Sequence, residues 1–126
     1  MITWNEFNDK MNNRFGMIFK RVDDLYFNVA SKMNIGEDIE IEDIQALKYL
    51  QDLFPMRGKL YVITDTCYHN GNGPYAVDSG KVDNFVYTYM EEYGEPFFST
   101  DIIIVNFEDK LIWVLFHEGV CWLTKG

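Results

Sequence analysis

The chain has 126 residues, 48% of them apolar and 17% aromatic, which is material for a core of its own and argues against an intrinsically disordered polymer. Eleven bases face twenty acids, giving a net charge of −9. Such a balance repels phosphate backbones and disfavours direct nucleic-acid binding, and no run approaches the roughly 18 apolar residues of a membrane-spanning helix.

Charge is divided unevenly along the chain. Residues 1–33 hold Lys10, Arg14, Lys20, Arg21 and Lys32 against Glu6, Asp9, Asp23 and Asp24, a sum of +1, so the remainder carries −10. The opening MITWNEFNDK has no basic stretch followed by an apolar one, and so no secretory signal is expected. Cys67 and Cys121 are too few for a disulfide framework. A cytoplasmic, reducing setting is the expectation.

Thr3-Trp4-Asn5-Glu6 reads as a capping box, with Thr3 and Glu6 serving each other's backbone N–H groups. Phe7, Met11, Phe15, Ile18, Val22, Leu25 and Val29 follow at steps of three and four, which predicts one helix over residues 4–33. Gly16 weakens it locally by about 1 kcal/mol relative to Ala. Residues 37–43 read EDIEIED, five acids in seven positions, followed by Ile44, Leu47, Leu50 and Phe54 at helical spacing. Acids before and within a first turn suit the helix dipole, and Pro55 closes this second helix.

Residues 60–64, LYVIT, predict a strand. CYHNGNGPYAVDSG follows, a long loop or irregular hairpin whose Asn-Gly pairs suit positive φ. A third helix starts near Ser79, turns Val82, Val86, Tyr89, Met90 and Tyr93 inward and ends at Gly94. The last third reads as a β-meander: a strand over 101–107, a tight turn at Glu108-Asp109, a strand over 110–116, a turn at 117–119 and a strand over 120–123. Near-continuous apolar runs predict central strands buried on both faces, and the short links predict antiparallel neighbours. The expected architecture is a single α+β domain over 1–126, with N-terminal helices packed on a mainly antiparallel sheet and a C-terminal β-meander.

Residues able to do chemistry are sparse. His69 and His117 are the only histidines. With Cys67 and Cys121 they make four potential zinc ligands, but Cys-x-His is no usual knuckle and Cys121 lies in an apolar strand. Cys67 and His69, two apart, can face the same way as nucleophile and base, yet no orienting third group accompanies them. His117-Glu118 opens like HExxH, but position 121 is Cys, and the NGNG loop is followed by no Lys-Ser/Thr pair. No catalytic residue, cofactor or metal is therefore assigned, and a small metal-binding or enzymatic domain using Cys67, His69, His117 and Cys121 stays as an alternative.

Recognition is the better-supported class. Tyr61, Tyr68, Tyr75, Tyr87, Tyr89 and Tyr93 lie on the predicted strand, loop and third helix, with Asp65, Asp78, Glu91, Glu92 and Glu95 around them. Tyrosine offers large contact area at low entropy cost, and carboxylates beside rings suit Arg and Lys of a partner. The expected contact residues are Glu37, Asp38, Glu40, Glu42 and Asp43 in the acidic stretch, with Asp65, Tyr68, His69, Tyr75 and Asp78 in the loop. Tyr68 and Tyr75 are expected to be exposed.

Residues 101–107 followed by Ile112-Trp113-Val114-Leu115-Phe116-His117-Glu118-Gly119 resemble the strand-turn-strand ends of small bacterial toxin-immunity proteins, which are also acidic and of this size. The resemblance covers the last third and carries no functional residues with it. It implies a non-enzymatic, cytoplasmic inhibitor that covers a cognate toxin, often a basic nuclease. The alternative partner is a host nucleic-acid-binding protein, the target of a phage or mobile-element inhibitor.

Overall fold

A computed structural model describes residues 2–16, 29–34, 43–64, 66–67, 73–95, 97, 101–116 and 120–125. Over these residues the fold is α+β. Three helices, α1 (Trp4–Phe15), α2 (Asp43–Leu53) and α3 (Val82–Tyr93), accompany six strands, β1 (Val29–Asn34), β2 (Lys59–Ile63), β3 (Tyr75–Asp78), β4 (Ile102–Asn106), β5 (Leu111–Phe116) and β6 (Val120–Lys125). The strands form one sheet in the order β1-β6-β5-β4-β2-β3, and each pairing is antiparallel. The meander β4-β5-β6 holds the centre, with Trp113 opposite Ile104 on one side and Leu123 on the other.

Strand alternation decides the layers. Every residue of β4 is buried, as the unbroken apolar run requires. Leu60, Val62, Ile102, Ile104, Trp113, Cys121 and Leu123 share a cluster with Ala46, Leu47 and Leu50 of α2 and Val82, Val86 and Tyr89 of α3. Their strand neighbours Tyr61, Ile63, Ile103, Val105, Ile112, Val114 and Trp122 cluster with Phe7 and Met11 of α1. The sheet is thus sandwiched, and a one-residue register slip would exchange the two apolar sets.

One half of the predicted capping box starts α1: Thr3 is the N-cap and its hydroxyl accepts the Glu6 N–H at 3.2 Å. It is fastened at its far end to the β4–β5 turn. Arg14 donates from Nε to the Phe107 carbonyl at 2.9 Å and from Nη2 to the Glu108 carbonyl at 3.3 Å. The Lys10 ammonium lies 5.9 Å from the Tyr61 ring centre and 5.8 Å from that of Phe107, within cation–π range.

The expected helix over 4–33 is corrected. α1 ends at Phe15, because Gly16 takes φ 70° and turns its N–H to the Asn12 carbonyl. Without a Cβ, glycine enters this left-handed region freely and stops the helix. Val29, the last residue of the proposed apolar stripe, opens β1 instead, and Met33 pairs with Cys121. The tight turn at Glu108-Asp109 is a four-residue loop, 107–110, in which Lys110 adopts φ 55°. Asn106 braces it: Oδ1 accepts the Asp109 N–H at 3.0 Å, and Nδ2 donates to the Arg57 carbonyl at 2.6 Å. The loop-or-hairpin over 67–80 is a hairpin at its far end, since β3 pairs with β2 from Lys59↔Asp78 to Val62↔Tyr75.

Candidate functional site

The residues expected to meet a partner divide into three groups. Glu37, Asp38, Glu40, Glu42, Asp65, Tyr68 and His69 lie outside the described residues, as does His117 of the metal-binding alternative. Asp43 begins α2, and Asp78 is exposed at the end of β3. Tyr75 corrects its expected exposure: it is 5% exposed, because alternation in β3 directs Tyr75 and Val77 into the core under α3. A Gly- and Asn-rich neighbourhood suggested a loop, whereas the strand pairing is decided by β2.

Tyr75 belongs to a buried aromatic cluster with a polar tip. Its ring centre stands 5.0 Å from Tyr93, and Tyr89 stands 4.6 Å from Tyr93 and 5.1 Å from Phe97. The phenols of Tyr75 and Tyr89 each lie 2.7 Å from the Thr66 hydroxyl. Tyr89 donates to the Thr64 hydroxyl at 2.7 Å, and Thr64 lies 2.9 Å from Thr66. One proton arrangement satisfies all four contacts: Tyr89 donates to Thr64, Thr64 to Thr66, Thr66 to Tyr89, and Tyr75 to Thr66. Each hydroxyl donates once, so the cluster closes on itself and ties β2, β3 and α3 together. Tyr93 is pushed up to about 12 by burial first and then by Tyr75, Glu92 and Tyr89. It therefore stays protonated at neutral pH.

The Tyr89→Phe variant should unfold at lower urea with an unchanged denaturant slope, a loss of about 1–3 kcal/mol from unmatched buried hydroxyls. A loss below about 0.5 kcal/mol would show that the remaining hydroxyls re-pair without it.

The two cysteines are buried free thiols in the cluster beneath α2 and α3. Burial raises Cys67, only partly offset by hydrogen bonds with Thr64, and burial alone pushes Cys121 up to about 12. The Cys67 Sγ accepts the Thr64 N–H at 3.4 Å and donates to the Val62 carbonyl at 3.6 Å. A protonated, hydrogen-bonded thiol is a poor nucleophile. Among the described residues no three potential metal ligands gather.

The outer face of α3 is different in character. Tyr87 is 69% exposed and Met90 58%, the large hydrophobics that the described residues leave in solvent. They are three apart, hence neighbours on the helix surface. Met90 corrects its expected inward position: the buried stripe runs through Val82, Val86 and Tyr89, with Phe85 partly buried beside it. That stripe is rotated toward Phe85, which turns Met90 out. Asp83 and Glu91, both exposed, flank Tyr87 at four-residue spacing. The surrounding sequence, residues 82–109, holds seven acids and no Lys, Arg or His. This local excess was readable in the sequence, but only the helix orientation shows which residues of α3 face outward.

No helix among the described residues is long and apolar enough to cross a membrane. Comparison with protein-family models, with curated proteins and with solved structures finds no match to this chain.

Proposed function

We propose that the protein is a non-enzymatic inhibitor that binds a basic protein, in the manner of an immunity protein neutralising a cognate nuclease-type toxin in the cytoplasm. The observation that carries this reading is the exposed Tyr87–Met90 pair set within a stretch of seven acids and no base. Tyrosine and methionine are enriched at protein interfaces, and a negative rim speeds encounter with a positive partner while repelling nucleic acid and anionic lipid. The hydroxyls of Thr64, Thr66, Tyr75 and Tyr89 are engaged with one another, which suits a scaffold better than a reaction centre.

Affinity capture from the native host, read by mass spectrometry, tests this. A basic protein should be retained at about 50 mM salt and largely released near 1 M, where the screening length falls to about 3 Å. The same protein, expressed alone, should be toxic, and co-expression of this chain should relieve the toxicity. A captured nucleic-acid-binding protein without toxicity would replace the immunity reading with that of a phage or mobile-element inhibitor. Capture of no basic protein at either salt would remove both.

A further inference from the structure

We propose that the outer face of α3 docks a basic amphipathic helix of the partner, with Tyr87 and Met90 against its apolar stripe and Asp83 and Glu91 pairing with a cation at each end. This deepens the basic-partner reading and rests on it.

The placement follows from helix geometry. At 100° per residue, Met90, Asp83, Tyr87 and Glu91 occupy one face spanning about 100°, centred about 120° around the helix from the stripe of Val82, Val86 and Tyr89 that seats the helix on the sheet. Asp83 and Glu91 are eight residues apart, about 12 Å along the axis, with the apolar pair between them. A partner helix comes within about 1.5 Å of that spacing with cations at i and i+7 and apolar residues at i+3 and i+4.

The platform is also held in shape before binding. Tyr89 is fully buried and hydrogen-bonded to Thr64 and Thr66. Phe85 and Tyr93 pack around Tyr75, at 5.6 and 5.0 Å between ring centres. Little ordering is then left to binding, which favours affinity.

Charge selects among occupants. α3 carries Asp83, Glu91 and Glu92 and no base, and Lys81 precedes it. A second copy would set the same acids against each other, and an anionic membrane or nucleic acid would meet a like-charged surface. A cationic helix is the occupant that this field attracts.

The test uses the full chain with ¹³C-methyl methionine, which gives six methyl signals; Met90 is identified from the Met90→Leu variant. The probe is a synthetic helical peptide with Arg at i and i+7 and Leu at i+3 and i+4, and its control carries Glu for Arg. Binding of the Arg peptide should shift the Met90 methyl while the control leaves it in place. In fluorescence anisotropy, Glu91→Lys and the double variant Tyr87→Ser/Met90→Ser should each weaken the Arg peptide by about 10-fold or more. Both change exposed positions, and an unaltered urea transition will show that the fold is kept.

Shifts of other methionines with Met90 unmoved, or no binding of the Arg peptide, would overturn the docking surface. Equal capture of the basic host partner by wild type and by the double serine variant would overturn it too, leaving the basic-partner reading intact. That reading fails separately, if wild type captures no basic partner.

Discussion

Replacing Trp113 by alanine is expected to cost about 3–5 kcal/mol, much of the stability of a chain this size. Trp113 has no exposed surface and sits in the central strand β5, between Ile104 of β4 and Leu123 of β6. Its indole N–H also donates to the Phe54 carbonyl at 3.0 Å, just beyond the end of α2. One side chain therefore fills the core beneath the helices and fastens α2 to the sheet. Trp113→Phe separates these roles: it keeps much of the volume and removes the donor, for an expected loss of about 1–3 kcal/mol. Urea unfolding of both variants is the measurement. A loss for Trp113→Ala below about 1.5 kcal/mol would mean that the site collapses around the cavity and that β5 is not the centre of the core.

Gly73→Ala should be nearly as damaging, by about 3–5 kcal/mol, for a backbone reason. Gly73 has φ 106°, a region costing a side-chain-bearing residue about 1–3 kcal/mol. A Cβ there would also run into the Ile2 carbonyl oxygen and crowd the backbone of Thr3 and Trp4. The close approach exists because the Ile2 N–H donates to the Pro74 carbonyl at 3.2 Å, leading the chain start past β3. Ile2, 6% exposed, then joins Phe7 and Met11 in the cluster under α1. Displacing that segment returns an isoleucine to water, at about 1.5–3 kcal/mol.

Ile2→Ser supplies the control for this account. If the alanine at 73 acts by pushing the segment away, the double variant Gly73→Ala/Ile2→Ser loses less than the two single losses added together. Strict additivity in thermal or urea unfolding would confine the damage at Gly73 to its own dihedral angle.

Local chemistry was sufficient for much of this molecule. Thr3 and Glu6 specified the start of α1, because a hydroxyl three residues before a free N–H needs no distant partner. The apolar runs of β4 and β5 and the short links between them specified a buried antiparallel meander, since strands covered on both faces leave no polar alternation. Other features depended on residues far apart in the chain. Ile18, Val22, Leu25 and Val29 kept helical spacing beyond Gly16, yet Val29 pairs in β1, opposite Thr124 of β6. Spacing alone cannot register a partner 95 residues away, and the glycine that stops α1 was legible only as a weak point. Tyr75 sat among turn residues but is buried, because pairing with β2 fixed its parity and α3 covered that face. Met90 fitted an inward stripe in a helix read alone. The direction from which the sheet approaches α3 turned it outward beside Tyr87, and so decided which residues of the helix face solvent. Composition and the order of apolar residues along the chain thus specified an acidic α+β protein, whereas tertiary packing chose, among many tyrosines and acids, the few that share an exposed face.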